Sequence, residues 1–143
     1  MVIVAAVDRS DRASAVVREA VTLGEAFDEP VDVLHVLTRE EFVSLERTNV
    51  SETGEAVPLE SVVETARNIA DETIAEANVT ATAVGLVGDP ADEIVGYANE
   101  QGARYIVAAG RKRSPVGKAL FGSVVQSVLL SAECPVVSLR TEA

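Results

Sequence analysis

Four of the chain's 12 basic residues, Arg111, Lys112, Arg113 and Lys118, fall within eight positions of the stretch AAGRKRSPVGKALFGSVVQSVL (108–129), although the formal net charge is −11. Gly110, Gly117 and Gly122 punctuate the same run, and Ser123 follows the last of them. Glycines let backbone N–H groups come close to an anion, and a helix opening near Ser123 would present its positive end. Cationic side chains and a serine hydroxyl would complete a cradle for phosphate. Taken singly, each basic residue is as well explained by a solvated loop, and each glycine by a turn; only the combination points to an anion. Asp8 and Ser10, which follow the apolar run VIVAAV, form the second candidate cluster. An aspartate there is a turn residue or helix cap in the absence of a ligand.

Other chemistries find little support. A single cysteine, Cys134, and a single histidine, His35, leave no intrachain disulfide and no zinc site of the usual kind. His35 sits inside an expected strand, where a hydrogen-bonded core role is commoner than that of a general base. Cys134, beside Pro135, reads as a small buried residue without a base to activate it. The dinucleotide fingerprint G-x-G-x-x-G does not follow the first strand, and Gly110 to Gly117-Lys118 has the wrong spacing for a P-loop. No catalytic residue and no resident metal are therefore expected, and any ATP hydrolysis would be weak; Asp8 is the one acidic candidate to meet Mg²⁺ brought in with phosphates.

A pI near 4.5 argues against a nonspecific nucleic-acid binder. The same acid excess suits solubility in concentrated salt, where repulsion is screened, so a halophilic source is expected. No basic leader precedes the first apolar run, which is far too short to span a bilayer. A soluble, cytoplasmic protein without membrane contact is the expectation.

The positioning elements follow from hydrophobic period. Val2 to Val7 is a nearly continuous apolar run, as in a strand covered on both faces. Asp11 to Asp28 carries an apolar stripe at helical spacing, with Ser10 as its expected cap. Val31 to Leu37 is the second strand, Leu59 to Ala77 the second helix, and Val79 to Val87 the third strand. Between them the polar stretch from Thr38 to Pro58 shows neither period, and a connection of that length is a candidate moving part. Asp89-Pro90 opens a third helix with cap and first-turn proline. Tyr105 to Ala109, Ser123 to Ala132 and Val136 to Leu139 supply strand, helix and strand. Strands alternating with helices over residues 1–143, at 48% hydrophobic content and without a linker, predict one α/β, doubly wound domain with a mostly parallel five-stranded sheet and helices on both faces.

The basic stretch followed by CPVV resembles the nucleotide-binding signature and C-terminal end of the universal stress protein (UspA-like) family. VAAVDRSDRASAVVREAV resembles that family's first strand and helix, and VLHVL, VGDPADEIVGYA and YIVAAG fall where its remaining elements occur. The resemblance implies sheet order 3-2-1-4-5 in a Rossmann-like fold of the adenine nucleotide alpha hydrolase type. It implies a stress-response regulator that binds ATP, ADP or AMP and acts through ligand-dependent conformation or binding of a regulatory protein partner. Asp8 and Ser10 would lie near ribose or adenine, and Val36 would line the adenine pocket. Gly110, Arg111, Arg113, Gly117, Gly122, Ser123 and Val124 would surround ribose and phosphates. A homodimer would form through residues 136–139. The family's ATP-binding pattern G-x2-G-x9-G-S/T is matched at Gly110 and Gly122-Ser123, whereas Arg113 occupies the second glycine position and the following spacer is one residue short. That departure favours the alternative of a nucleotide-independent dimeric signalling module of the same fold.

Overall fold

The computed structural model describes residues 1–44, 47, 58–110 and 122–140. Its elements run β1 (Val2–Ala6), α1 (Ala13–Phe27), β2 (Val31–Leu37), α2 (Leu59–Ala77), β3 (Thr82–Val87), α3 (Pro90–Gln101), β4 (Ala103–Ala109), α4 (Ser123–Ser131) and β5 (Val136–Leu139). The five strands form one sheet in the order β3-β2-β1-β4-β5, and each of its four ladders is parallel. Strand order therefore reverses at β1, whose neighbours are β2 on one side and β4 on the other.

Alternation along the strands divides the core into two layers. Ile3, Ala5, Val31, Val33 and Val107 point to one face, beneath Val16, Val17 and Ala20 of α1 and Ala70 and Ile74 of α2. Val4, Leu34, Val36 and Ile106 point to the other, beneath Ile94 and Ala98 of α3 and Val128 of α4. Each fully buried aliphatic side chain stabilises the fold by about 1.5–3 kcal/mol, so the helices are held mainly by these stripes. At Gly85 the backbone of α2 comes so close to β3 that a Cβ would collide with the Val63 carbonyl and the Arg67 amide. A side chain there would lever the helix off the sheet.

Local signals set the helix limits. The Asp89 side chain accepts a hydrogen bond from the Asp92 amide at 3.0 Å, with Pro90 at the first position, as the sequence predicts for α3. Helix α3 ends at Gly102, whose φ of 62° lies in the left-handed region that suits a residue without Cβ. Helix α1 departs from expectation: it starts at Ala13, its cap residue is Arg12, and no side chain caps it. Ser10 instead closes the preceding turn onto Asp8. The start of the stretch after β2 also departs, because residues 39–44 are helical, while most of the remaining connection to Pro58, residues 45, 46 and 48–57, lies outside the described residues. Thr38 Oγ1 accepts from the Glu41 amide at 3.1 Å, and Glu41 Oε1 accepts from the Thr38 amide at 3.3 Å, which together make a capping box.

Candidate functional site

The carboxyl ends of β1, β2 and β4 open into a cavity of about 350 Å³, lined also by the first turns of α3 and α4. It lies where strand order reverses, the place at which open α/β sheets leave a crevice. Its walls are largely apolar, with Val36, Ile94, Ala108, Val124 and Val128 among them, and its polar lining comprises Asp8, Arg9, His35, Thr38 and Glu41. Of the residues expected from sequence, Asp8, Val36 and Val124 thus line one space.

Asp8 is oriented by its own turn. Its Oδ1 accepts hydrogen bonds from the Ser10 amide at 2.8 Å and the Ser10 hydroxyl at 2.5 Å. Ser10 lies outside the cavity lining and acts on the site through that carboxylate. Ser10 Oγ in turn accepts from Arg12 Nε at 3.2 Å. Arg12 Nη2 stands 3.7 Å from Asp8 Oδ2, and Arg12 Nη1 donates to the Gly110 carbonyl at 2.8 Å. One guanidinium fork therefore ties the loop after β1 to the end of β4, across 98 residues of sequence. Sequence reasoning missed Arg12, whose setting in DRSDR reads as a solvated turn.

Gly110 is buried, and both of its backbone groups are engaged. Its N–H donates to the Leu139 carbonyl at 2.8 Å, while its carbonyl accepts from Arg12. Gly110 joins β5 and the Asp8 turn to the root of the basic segment, and it has no spare N–H for an anion. The donors lie further on. Helix α4 begins after Gly122, with no side-chain cap and no acidic residue in its first turn. The first N–H groups of that helix lack intrahelical partners, and the helix dipole adds partial positive charge there. The opening of α3, by contrast, is already occupied by Asp89, Asp92 and Glu93. Gly122 and Ser123 lead into this first turn, and Val124 and Val125 carry it to the cavity wall. Arg111, Lys112, Arg113, Gly117 and Lys118 lie outside the described residues.

His35 is 6% exposed, and its Nδ1 lies 2.9 Å from the Val7 carbonyl oxygen. A carbonyl only accepts, so Nδ1 carries a proton, and in the neutral ring Nε2 is then the acceptor. No hydrogen-bond partner reaches Nε2 among the described residues. The core role expected of His35 is borne out by that bond, and the ring additionally contributes to the cavity lining. Cys134 is half-buried and unpaired, and burial pushes its thiol up from the ordinary range, away from nucleophilic use. No group of three His, Cys, Asp or Glu side chains is placed to hold a metal ion among the described residues. No helix among them is long and apolar enough to cross a membrane.

The family model described as the universal stress protein family matches residues 1–140. The universal stress protein YxiE of Bacillus subtilis is 32% identical over 146 aligned positions, covering 94% of this chain and 95% of that protein. A structure of a universal stress protein from Archaeoglobus fulgidus is similar at a TM-score of 0.66 and 34% identity, covering 96% of each chain. A structure of the universal stress protein from Archaeoglobus fulgidus in complex with dAMP is similar at a TM-score of 0.56 and 27% identity, covering 96% of this chain and 94% of that one. With sheet order, crevice and whole-length similarity in agreement, this chain belongs to the universal stress protein family.

Proposed function

We propose that the protein binds an adenine nucleotide in the crevice above β1, β2 and β4, and that occupancy alters its shape or its affinity for a regulatory protein partner. The observation that carries this reading is the arrangement of the cavity itself. Apolar walls suited to a base join an ordered carboxylate at Asp8 to the uncapped first turn of α4. The dAMP complex of the similar Archaeoglobus fulgidus protein supports the same class of ligand. Val36 would floor the base and Asp8, steadied by Ser10, would meet the ribose. The amides after Gly122, with Ser123 and Val124, would meet phosphate, assisted by Arg111, Arg113 and Gly117. ATP, ADP and AMP share these features, and Mg²⁺ would enter with the phosphates of a longer nucleotide. Hydrolysis would be slow, because among the described residues no activating base stands beside the phosphate end.

Among the described residues the outer edge of β5 is unpaired in the sheet order, and Leu130 on the adjoining α4 is 81% exposed. Both features support a homodimer joined through residues 136–139, since an open strand edge invites pairing. Isothermal calorimetry with AMP, ADP and ATP tests the central reading. Saturable binding by at least one of them, lost in Gly122→Val while fold and dimer persist, is the expected result. The second reading, a dimeric signalling module that needs no nucleotide, is favoured by Arg113 at the motif glycine and by the fully engaged backbone of Gly110. Absence of heat and of thermal shift with all three nucleotides would favour it instead.

A further inference from the structure

We propose that Glu41 selects the base: its carboxylate accepts a hydrogen bond from an exocyclic amino group, so the site prefers nucleotides that carry such a donor. The inference rests on the nucleotide reading above and specifies which chemistry the base end recognises.

Direction comes first. The α4 end of the cavity offers uncapped amides and the positive end of a helix, whereas the β2 end offers the Glu41 carboxylate. An anionic phosphate is attracted to the former and repelled by the latter. Strands β4, β1 and β2 are successive neighbours, so the two ends stand roughly 10 Å apart, two strand spacings. A ligand with phosphate at α4 therefore sets its base against the residues that follow β2.

The polar groups at that end share one character. Glu41 is held by the capping box: its Oε1 accepts from the Thr38 amide at 3.3 Å and from the Thr38 hydroxyl at 3.2 Å. Both donors of Thr38 are thereby committed, and among the described residues Glu41 Oε2 carries no hydrogen bond. His35, in the same lining, carries Nε2 buried and, among the described residues, without a partner, an acceptor in the neutral ring. The residues of and after β2 in this lining thus present acceptors and no uncommitted side-chain donor, the one cationic donor of the described lining, Arg9, following β1 instead. Buried acceptors are satisfied by donors. The exocyclic amine of adenine, set in an otherwise apolar slot, is such a donor. A helix cap alone would explain the Thr38–Glu41 contacts, but it gives no reason for base preference, and this separates the two roles.

The test compares AMP with purine riboside 5′-monophosphate, which differs only in lacking the 6-amino group, by calorimetry on the full chain. Wild-type protein should bind AMP about tenfold more tightly or better, the scale of a hydrogen bond to a charged acceptor. In Glu41→Ala the ratio should fall to about one, mainly through weaker AMP binding, with purine riboside monophosphate still bound. Glu41→Gln keeps the length of the side chain and an acceptor oxygen, so it should keep part of the preference, and it serves should the alanine variant not fold. An undiminished ratio in both variants, or equal affinities in wild type, overturns the assignment to Glu41 and leaves nucleotide binding standing. Failure of both compounds to bind wild-type protein, with ADP and ATP failing as well, overturns the nucleotide reading and this inference together.

Discussion

Arg12→Ala is the most informative single substitution, because it removes the one side chain that, among the described residues, joins the Asp8 turn to the end of β4. The lost hydrogen bond from Nη1 to the Gly110 carbonyl is short, at 2.8 Å, and its acceptor belongs to a buried residue. Bonds of this charge-assisted kind contribute about 1.5–3 kcal/mol. The pair with Asp8 adds at most about 1 kcal/mol, since it spans 3.7 Å and the Asp8 side chain is 63% exposed. Water entering the space left by the guanidinium will satisfy part of the Gly110 acceptor, so a net loss of about 1–2 kcal/mol is expected. For a domain of this size that lowers the melting temperature by roughly 3–8 °C. Binding should suffer separately. With the two loops uncoupled, about one further residue must be ordered on binding, at about 1–2 kcal/mol, which weakens nucleotide affinity about tenfold. Arg12→Lys restores the charge beside Asp8 without the fork that reaches Ser10 and Gly110 together, so it should recover only part of either loss. Differential scanning fluorimetry and calorimetry read the two effects. Unchanged melting and unchanged affinity in Arg12→Ala would refute the proposed coupling.

Gly85→Ala should destabilise by about 1–3 kcal/mol in urea titration, because its Cβ meets the backbone of α2 rather than a movable side chain; a change below about 0.5 kcal/mol would contradict that packing. Cys134, with its thiol pushed up by burial, should react with iodoacetamide at pH 8 at least about tenfold more slowly than a free thiol, and equal rates would refute the shielding. The hydrogen bond from Arg104 holds the Glu29 carboxyl below its usual range. A lowered carboxyl stabilises the fold above its unfolded value, near pH 4.3, and loses that contribution as pH falls through the folded value. Arg104→Gln should therefore lower stability at pH 7 and flatten its decline in acid, whereas a parallel decline in both proteins would count against the pair.

The sheet was legible because each strand is an apolar run of the right length and each helix keeps its stripe; Val31–Leu37, Leu59–Ala77 and Val136–Leu139 fall where their periods predict. Asp8, Ser10, Gly122 and Ser123 were legible as candidates from residue type and position, whereas strand order, Val36 and Val124 were legible only through family resemblance, since no local pattern says which strands become neighbours. The misses have physical causes. Arg12 finds its partner Gly110 far along the chain, a pairing that no helical or strand period encodes. Thr38 and Glu41 do carry a readable capping-box spacing, but the polar composition around them made the whole stretch look irregular. Ser10 was expected to cap α1 because serine commonly does so; its hydroxyl donates to Asp8 instead, which delays the helix to Ala13.

The central claim is that a nucleotide sits with its base at β2 and its phosphate at the first turn of α4. The most direct measurement is a titration of ¹⁵N-labelled protein with AMP, followed by amide chemical shifts. The account predicts that the largest shifts fall at Asp8, Val36, Glu41 and the amides of Ser123, Val124 and Val125, and that they saturate together with one affinity. Saturating shifts confined to β5, or no shifts at all at millimolar AMP, would contradict it.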